Sequence, residues 1–496
     1  MNDLTPEQAA PRITSMLAAH ESRTLEFKRM GDNKIVRKLL EAICAFANTE
    51  GGVLALGVAD EKQGKGVARL FGIRENPEAL DELSRKVRTQ YHPPIETIRF
   101  LRLPCPLRDG SAGHVVLVQV PQSDKVHSIV DDGTWTRLTA GNREMTASEI
   151  AELSYRRGVR SAESEPVPVD WALLDTPVWA EFAKERGFGR VRPLPEQMAQ
   201  LGLAEKVAGE LLPRRAAVLL FAEEPGGLLA AQGTRAEIRL MVYQGKSAKA
   251  GAKPNMKKPP RTLRGPLIRL IDDTVRVVLD ELSAGVELAS SGFKAQHRYP
   301  ERVVKEAIVN AVIHRDYRLN RDILIRIFDD RLEVDSPGVF PGAITPANIA
   351  KAGSKARNPL IAKTLRDFSQ PPNFDLNEGV PMMFAEMSAA HLYPPQYRQN
   401  TEIATESVIV TLLNLERPTV WDEVSDWIDR NGELANAELC RIAGVDTLKA
   451  SKMLKAWVEQ GVLEQVPDRA KRNTAYIKPA QPVQGDLLSA TQDNKL

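Results

Sequence analysis

Cysteine is scarce. Cys44, Cys105 and Cys440 are the only three in 496 residues, and they stand far apart. Three separated thiols build neither a disulfide framework nor a zinc cluster by themselves. Aromatic residues make up 5% of the chain, which argues against a large base-stacking platform. An excess of one charge is missing too. Lys plus Arg is 67 and Asp plus Glu is 65, for a net charge of +2. That excludes a histone-like polycation and leaves local basic patches open. Long apolar runs are absent. The longest, at 216–222, falls far short of the roughly 20 residues a membrane helix needs. The opening stretch MNDLTPEQAAPRITSML has neither a basic start nor an apolar core, so a secretory signal is not expected. These absences predict a soluble, reduced, cytoplasmic protein with no membrane partner.

What is present is ordinary for a globular chain: 43% hydrophobic and 27% charged residues. At about 150 residues per domain the length predicts about three domains. TLEFKR (24–29) alternates and predicts a half-buried strand. A helix with Ile35, Leu39, Ile43 and Phe46 at three- and four-residue spacing follows. Gly51-Gly52 reads as its C-cap. VLALGV (53–58), 95–103 and HVVLVQV (114–120) read as strands, and 80–91 as a helix. A strand, a turn and a helix capped near Thr146 close the first domain at about residue 160. Beyond it, AAVLLFA (216–222), 236–243, ILIRIF (323–328) and RLEVDSP (331–337) read as strands, and 265–284 as a long helix. The stretch 245–264 has seven basic residues, no acidic one and three prolines. It predicts a loop, either simply solvated or touching a phosphate backbone. Residues 418–478 read as a small winged helix.

Carboxylates near the first strand form one constellation. Glu26 and Lys28 share a strand face, Glu21 lies five residues upstream, and Asp60 follows VLALGV. Glu21, Glu26 and Asp60 around one point would suit Mg²⁺ or Mn²⁺, which prefer oxygen ligands. Such a metal serves phosphodiester cleavage, with Lys28 offsetting developing charge. By spacing alone, a Glu-x-Lys pair on a strand such as Glu26 and Lys28 is usually a solvated face.

ESRTLEFKR followed by AFANTEGGVLALGVAD resembles the AlbA-like domain of the Schlafen family, and the resemblance extends through TWTRLTAGNREMTASEI. It implies an AlbA-like nucleic-acid-binding domain over 1–160. In nuclease-active Schlafens two glutamates and an aspartate form the metal site, and those positions fall on Glu21, Glu26 and Asp60. Other members with this domain are binders or regulators.

In ERVVKEAIVNAVIHRDY, Glu306 and Asn310 lie four apart on one helix face. Asn offers a neutral oxygen to Mg²⁺, and Glu takes a proton from water. Alone, the pair also fits an ordinary helix surface. Together with LEVDSPGVFPGAI, KARNPLIAKTL and NEGVPMMF, the stretch resembles the ATP-binding domain of the GHKL type, as found in RecG-related or divergent AAA-type proteins. The resemblance implies catalytic Glu306, Mg-binding Asn310, adenine-reading Asp335 with Gly338 nearby, and an ATP lid at Gly379. Only Gly338 of the second motif is in register, and the lid keeps a single glycine. These departures favour nucleotide binding over rapid hydrolysis. There is no G-x-x-x-x-G-K-[ST] stretch, so a helicase motor is not supported. Arg315 reads as a phosphate contact and Asp316 as a cap, with equal weight. Lys449, Lys452 and Lys455 on one helix, with Arg469, Lys471 and Arg472 on a wing, predict a DNA or RNA contact, and a winged helix equally serves as a protein-docking module.

The expected fold class is therefore α/β (α+β), multidomain. The expected parts are an AlbA-like domain (1–160), a connecting helical or α+β region (161–300), a GHKL-like α/β sandwich (301–415), a winged helix (416–480) and a disordered tail (481–496). Three functions fit. One is an ATP-gated, metal-dependent nuclease in defence against phage or plasmids, acting as a homo-oligomer of at least two copies. The second is an ATP-responsive nucleic-acid-binding regulator that cuts nothing. The third is an assembly component of a larger defence or repair complex.

Overall fold

The computed structural model describes all residues except 1, 33, 140, 189–191, 250–253, 284, 285, 290, 291, 296–298, 343, 354, 373–378, 403, 404, 468, 470–473 and 480–496. The tail expected to be disordered lies outside the described residues. Residues 1–160 form one unit and residues 161–482 another.

The first unit runs β1 (Asn2–Asp3), α1 (Pro6–Ala18), β2 (Leu25–Lys28), α2 (Ile35–Asn48), β3 (Gly51–Leu56), α3 (Pro77–Lys86), β4 (Tyr91–His92), β5 (Arg99–Pro106), β6 (Ala112–Pro121), β7 (Ser128–Ile129), β8 (Trp135–Arg137), β9 (Asn142–Glu144) and α4 (Ala147–Arg156). Local chemistry starts its helices. Thr5 and Gln8 form a capping box on α1, and Thr146 and Glu149 form one on α4. The main sheet has the order β1-β5-β6-β3-β2, with β2 and β3 parallel across the α2 crossover. Apolar clusters cover both sheet faces, one with α2 and α3 and one with α1. This double cover corrects the half-buried expectation for β2: Leu25, Glu26 and Phe27 are all buried. The glycine pair also differs from expectation. The α2 cap is Thr49, and Gly51-Gly52 begin β3. A Cβ on Gly52 would meet the Phe46 ring and the Thr24 carbonyl, so glycine lets the strand start against the helix end. The third helix ends at Lys86, before the expected 91, and Tyr91 pairs with Ile129 instead.

The second unit runs α5 (Pro177–Glu185), α6 (Leu194–Gln200), β10 (Ala204–Val207), β11 (Glu210–Pro213), α7 (Arg215–Phe221), α8 (Pro225–Leu228), β12 (Ile238–Val242), β13 (Arg261–Leu263), α9 (Leu267–Ser283), β14 (Val286–Ala289), β15 (Gly292–Ala295), α10 (Glu301–Ile313), β16 (Ile323–Ile327), β17 (Arg331–Pro337), α11 (Pro359–Arg366), α12 (Gly379–Ala389), β18 (Gln396–Asn400) and β19 (Ser407–Leu413). Next come α13 (Trp421–Asn431), β20 (Leu434–Ala435), α14 (Asn436–Ala443), α15 (Thr447–Glu459), β21 (Glu464–Gln465) and β22 (Ala475–Ile477).

Its main sheet has the order β13-β12-β16-β17-β19-β18. Strands β12 and β13 belong to the stretch expected to be a separate connector. One apolar cluster runs from Ala162 to Leu412. The boundary expected at 300/301 therefore cuts through one sheet and one core, and 161–300 is not a domain of its own. AAVLLFA is likewise not a strand. It is helix α7, buried at every position. An apolar run without alternation fits a buried helix as well as a buried strand. Helices α13, α14 and α15 and the small sheet β20-β22-β21 close over Trp421, Ile428, Leu434 and Trp457. Trp457 Nε1 donates to the Tyr393 hydroxyl at 3.0 Å.

Candidate functional site

Helix α10 buries Val303, Val304, Ala307 and Ile308 against the core. Glu306 and Asn310, one turn apart, face a cavity of about 330 Å³. Asn310 Nδ2 donates to Glu306 Oε1 at 2.9 Å, which leaves Asn310 Oδ1 to accept from elsewhere. Burial pushes the Glu306 carboxyl above its ordinary range, while the Asn310 bond, Arg302 and Lys305 pull it back. Gly379 opens α12 against Glu306, and a Cβ there would collide with the carboxylate. Gly338 also lines the cavity. Its φ is +113° and a Cβ would come within 2.9 Å of Asp316 Cβ, so the position needs glycine twice over. Asn377 and Glu378, which precede Gly379 in the NEGVPMMF stretch, lie outside the described residues.

The walls are of two kinds. Arg302 and Lys305 bring positive charge near Glu306 and Lys355 adds a third cation to the lining, whereas Val334, Val408 and Val410 are apolar. Cations for phosphates, an apolar slot for a base and an amide oxygen for Mg²⁺ fit a metal-bound nucleotide, and the volume lies in the range of small-ligand pockets. Sequence reasoning passed over Arg302, Lys305 and Lys355. Lysines and arginines are too common for spacing alone to single them out.

Asp335 is corrected. Val334 and Ser336 point at the cavity side, where Ser336 Oγ donates to the Ala311 carbonyl at 2.7 Å. Strand alternation turns Asp335 to the other face. There it accepts from Arg326 Nη2 at 3.0 Å. It does not line the cavity, so it is not placed to read adenine. Arg315 is corrected as well. It is buried, donates to the Arg321 carbonyl at 2.5 Å and stacks on Tyr317, and it does not line the cavity. Asp316 takes the capping role, accepting from the Arg318 backbone at 3.0 Å.

In the first unit the three carboxylates are each engaged locally. Glu26, 2% exposed, pairs with Lys28 Nζ at 2.6 Å and with buried Arg137. Glu21 Oε1 accepts from the Phe27 backbone at 2.9 Å. Asp60 caps the turn at 61–63 through Lys62 N at 3.0 Å. Among the described residues no group of three His, Cys, Asp or Glu side chains is placed to share a metal. Glu21, Glu26 and Asp60 thus do not form the expected metal site in this arrangement, because each carboxylate already has a nearer partner. Arg137, which sequence reasoning missed, carries no signal beyond its place in TWTRL.

Residues 21–146 match the family model described as Schlafen, AlbA_2. Residues 320–412 match the model described as Putative ATP-dependent DNA helicase recG C-terminal. The chain carries both domains. An AlbA_2 domain beside a HATPase-type domain points to ATP binding and to an ATP-dependent, nucleic-acid-related role. No curated protein matches the chain. One solved structure, that of the DIP2311 protein from Corynebacterium diphtheriae, aligns at 17% identity over 95% of this chain and 99% of that one. Its TM-score of 0.38 is too low to bear on the fold.

The match to the recG C-terminal model begins after α10. The helix carrying Glu306 and Asn310 thus lies outside the matched residues, yet it forms the cavity wall with β17. Farther along, Lys449, Lys452 and Lys455 are exposed on α15. Lys455 has Glu459 3.7 Å away. Arg469 pairs with Glu433 at 2.7 Å. Lys471 and Arg472 lie outside the described residues. The stretch 245–264 is not a loop throughout, since Arg261–Leu263 form edge strand β13, and it is partly neutralised, with Lys257 on Asp329 at 3.0 Å and Lys258 on Glu281 at 2.8 Å. Those pairs favour its solvated reading over a phosphate contact. Among the described residues no helix is long and apolar enough to cross a membrane.

Proposed function

We propose that this protein is an ATP-responsive, nucleic-acid-binding regulator. The observation that carries the reading is the single cavity uniting Glu306, Asn310, Gly338 and Gly379. In it, Asn310 Oδ1 would hold Mg²⁺, which would offset the charge of the phosphates. Arg302, Lys305 and Lys355 supply further positive charge, and Val334, Val408 and Val410 receive the base. Glu306, with its carboxyl raised by burial, holds or accepts a proton at Oε2 while Oε1 stays on Asn310. Helices α13–α15 with β20–β22 read as a winged helix, whose α15 lysines face a nucleic-acid backbone. The expected homo-oligomer of at least two copies belongs to this proposal, and sizing by light scattering with and without Mg-ATP tests it.

Calorimetric titration of the full chain with Mg-ATP tests the cavity. Wild type binds, and Asn310→Ala loses at least tenfold in affinity. Equal affinity in that variant would refute the site. A second reading, metal-dependent cleavage, is favoured by the presence of Glu21, Glu26 and Asp60 inside the AlbA_2 match. For a metal to gather them, Glu26 must first release Lys28 and Arg137. Labelled tRNA, single-stranded DNA and duplex DNA with Mn²⁺, with and without ATP, separate the two. Binding without cut products favours the regulator. Cleavage abolished by Asp60→Asn favours the nuclease.

A further inference from the structure

The second unit begins at Ser161, directly after the last residue of the first. Its opening residues do not line the cavity but bond a segment that does. Glu163 is 0% exposed. Its Oε1 accepts from Leu360 N at 2.8 Å and its Oε2 from Ile361 N at 2.7 Å. These are N–H groups of the first turn of α11, which have no partner within the helix. A carboxylate nearly 200 residues away in sequence therefore caps α11, where the helix dipole favours it. Ser161 Oγ donates to the Arg357 carbonyl at 3.2 Å.

The segment so held is part of the cavity. Lys355 and Ala356 line it, as does Ala362 on α11. Arg357 donates to the carbonyl of Val339, another lining residue. Asn358 Nδ2 donates to the carbonyls of Ile313 and Arg315, both at 2.8 Å. It thereby ties the same segment to the end of α10, the helix of Glu306 and Asn310. Glu165 serves as a contrast. It pairs with Arg215 at 2.6 Å, and Arg215 bonds Thr234 and the Tyr317 carbonyl, none of which lines the cavity.

We propose that Glu163, with Ser161, is a positioning element that sets nucleotide affinity by pinning residues 355–361, so that the opening residues of the second unit brace the nucleotide site from behind its lining. This rests on the nucleotide reading of the cavity. It gives occupancy a covalent route toward the AlbA_2 unit, and by linkage any effect runs both ways.

The test is Mg-ATP titration of the full chain. Glu163→Ala is expected to weaken binding about tenfold, and Glu163→Gln, which keeps one acceptor oxygen, by less; coupled positions shift affinity by roughly 2- to 30-fold. Ser161→Ala weakens it in the same direction and serves if Glu163→Ala does not fold. Glu165→Ala lowers the melting temperature and leaves affinity unchanged. Wild-type affinity in both Glu163→Gln and Ser161→Ala would overturn the inference, and so would equal weakening by Glu165→Ala. If wild type itself binds no Mg-ATP, the nucleotide reading fails first and takes this inference with it.

Discussion

Ser336 and Asp335 are neighbours on one strand, yet Ser336 faces the cavity side and Asp335 faces Arg326. Asp335→Asn is therefore expected to leave Mg-ATP affinity unchanged. It should still cost about 1 kcal/mol of stability, because asparagine keeps an acceptor for Arg326 but loses the charge that strengthens the bond. Calorimetry and thermal melts on the same variant check both halves. Gly379→Ala acts in the opposite sense. Its methyl group would displace the Glu306 carboxylate, so nucleotide binding should fall by tenfold or more with the fold retained. Glu163 carries a pH signature. Burial pushes its carboxyl from 4.5 to about 7, against the bonds from Leu360 and Ile361. A carboxyl raised in the folded state binds protons the unfolded chain does not hold. Its contribution to stability is full below about 4.5 and is lost as pH rises to about 7. Melting of wild type should show that decline, and Glu163→Gln should not.

At the scale of elements, α10 was readable because its apolar residues recur at helical spacing and place Glu306 and Asn310 together. Strand β17 was readable in extent, and 331–337 is where it lies. Which face its aspartate takes depends on the register with β16 and β19, where Asp335 sits opposite Leu324 and Ile409. Helix α7 shows no helical period in the sequence because burial on every side erases it. The β2 strand carries a warning for mutational tests. Glu26→Ala would strand the fully buried Arg137 guanidinium, and breaking such a pair costs about 3–5 kcal/mol. Lost activity in that variant should come with a lower melting temperature of the first unit. Only Asp60→Asn, which can keep the turn cap, isolates chemistry from folding.

Over the whole molecule, near-zero net charge conceals local patterning. The lysines of α15 are exposed, while several of the basic loop are paired to acids. Duplex binding should accordingly be salt-dependent. Replacing Lys449, Lys452 and Lys455 with alanine should lower the slope of log K against log salt by about 3, near 0.9 for each phosphate no longer neutralised. Filter binding from about 50 to about 200 mM salt checks this, and an unchanged slope would remove α15 from the interface. Glu163→Ala should also blunt any change that Mg-ATP makes to nucleic-acid affinity.

The sequence alone determined the near-neutral composition, the two domain resemblances, most helices and strands, and the pairing of Glu306 with Asn310. Each of these rests on residue content or local spacing, which the backbone geometry of helix and strand translates directly. Tertiary structure alone decided that 161–300 shares one core and sheet with the nucleotide domain. It turned Asp335 away from the cavity, tied Glu26 to Arg137, and made Glu163 the cap of a helix nearly 200 residues away. Those outcomes depend on which distant groups meet once apolar surface is buried. No local pattern encodes the partner of a buried charge.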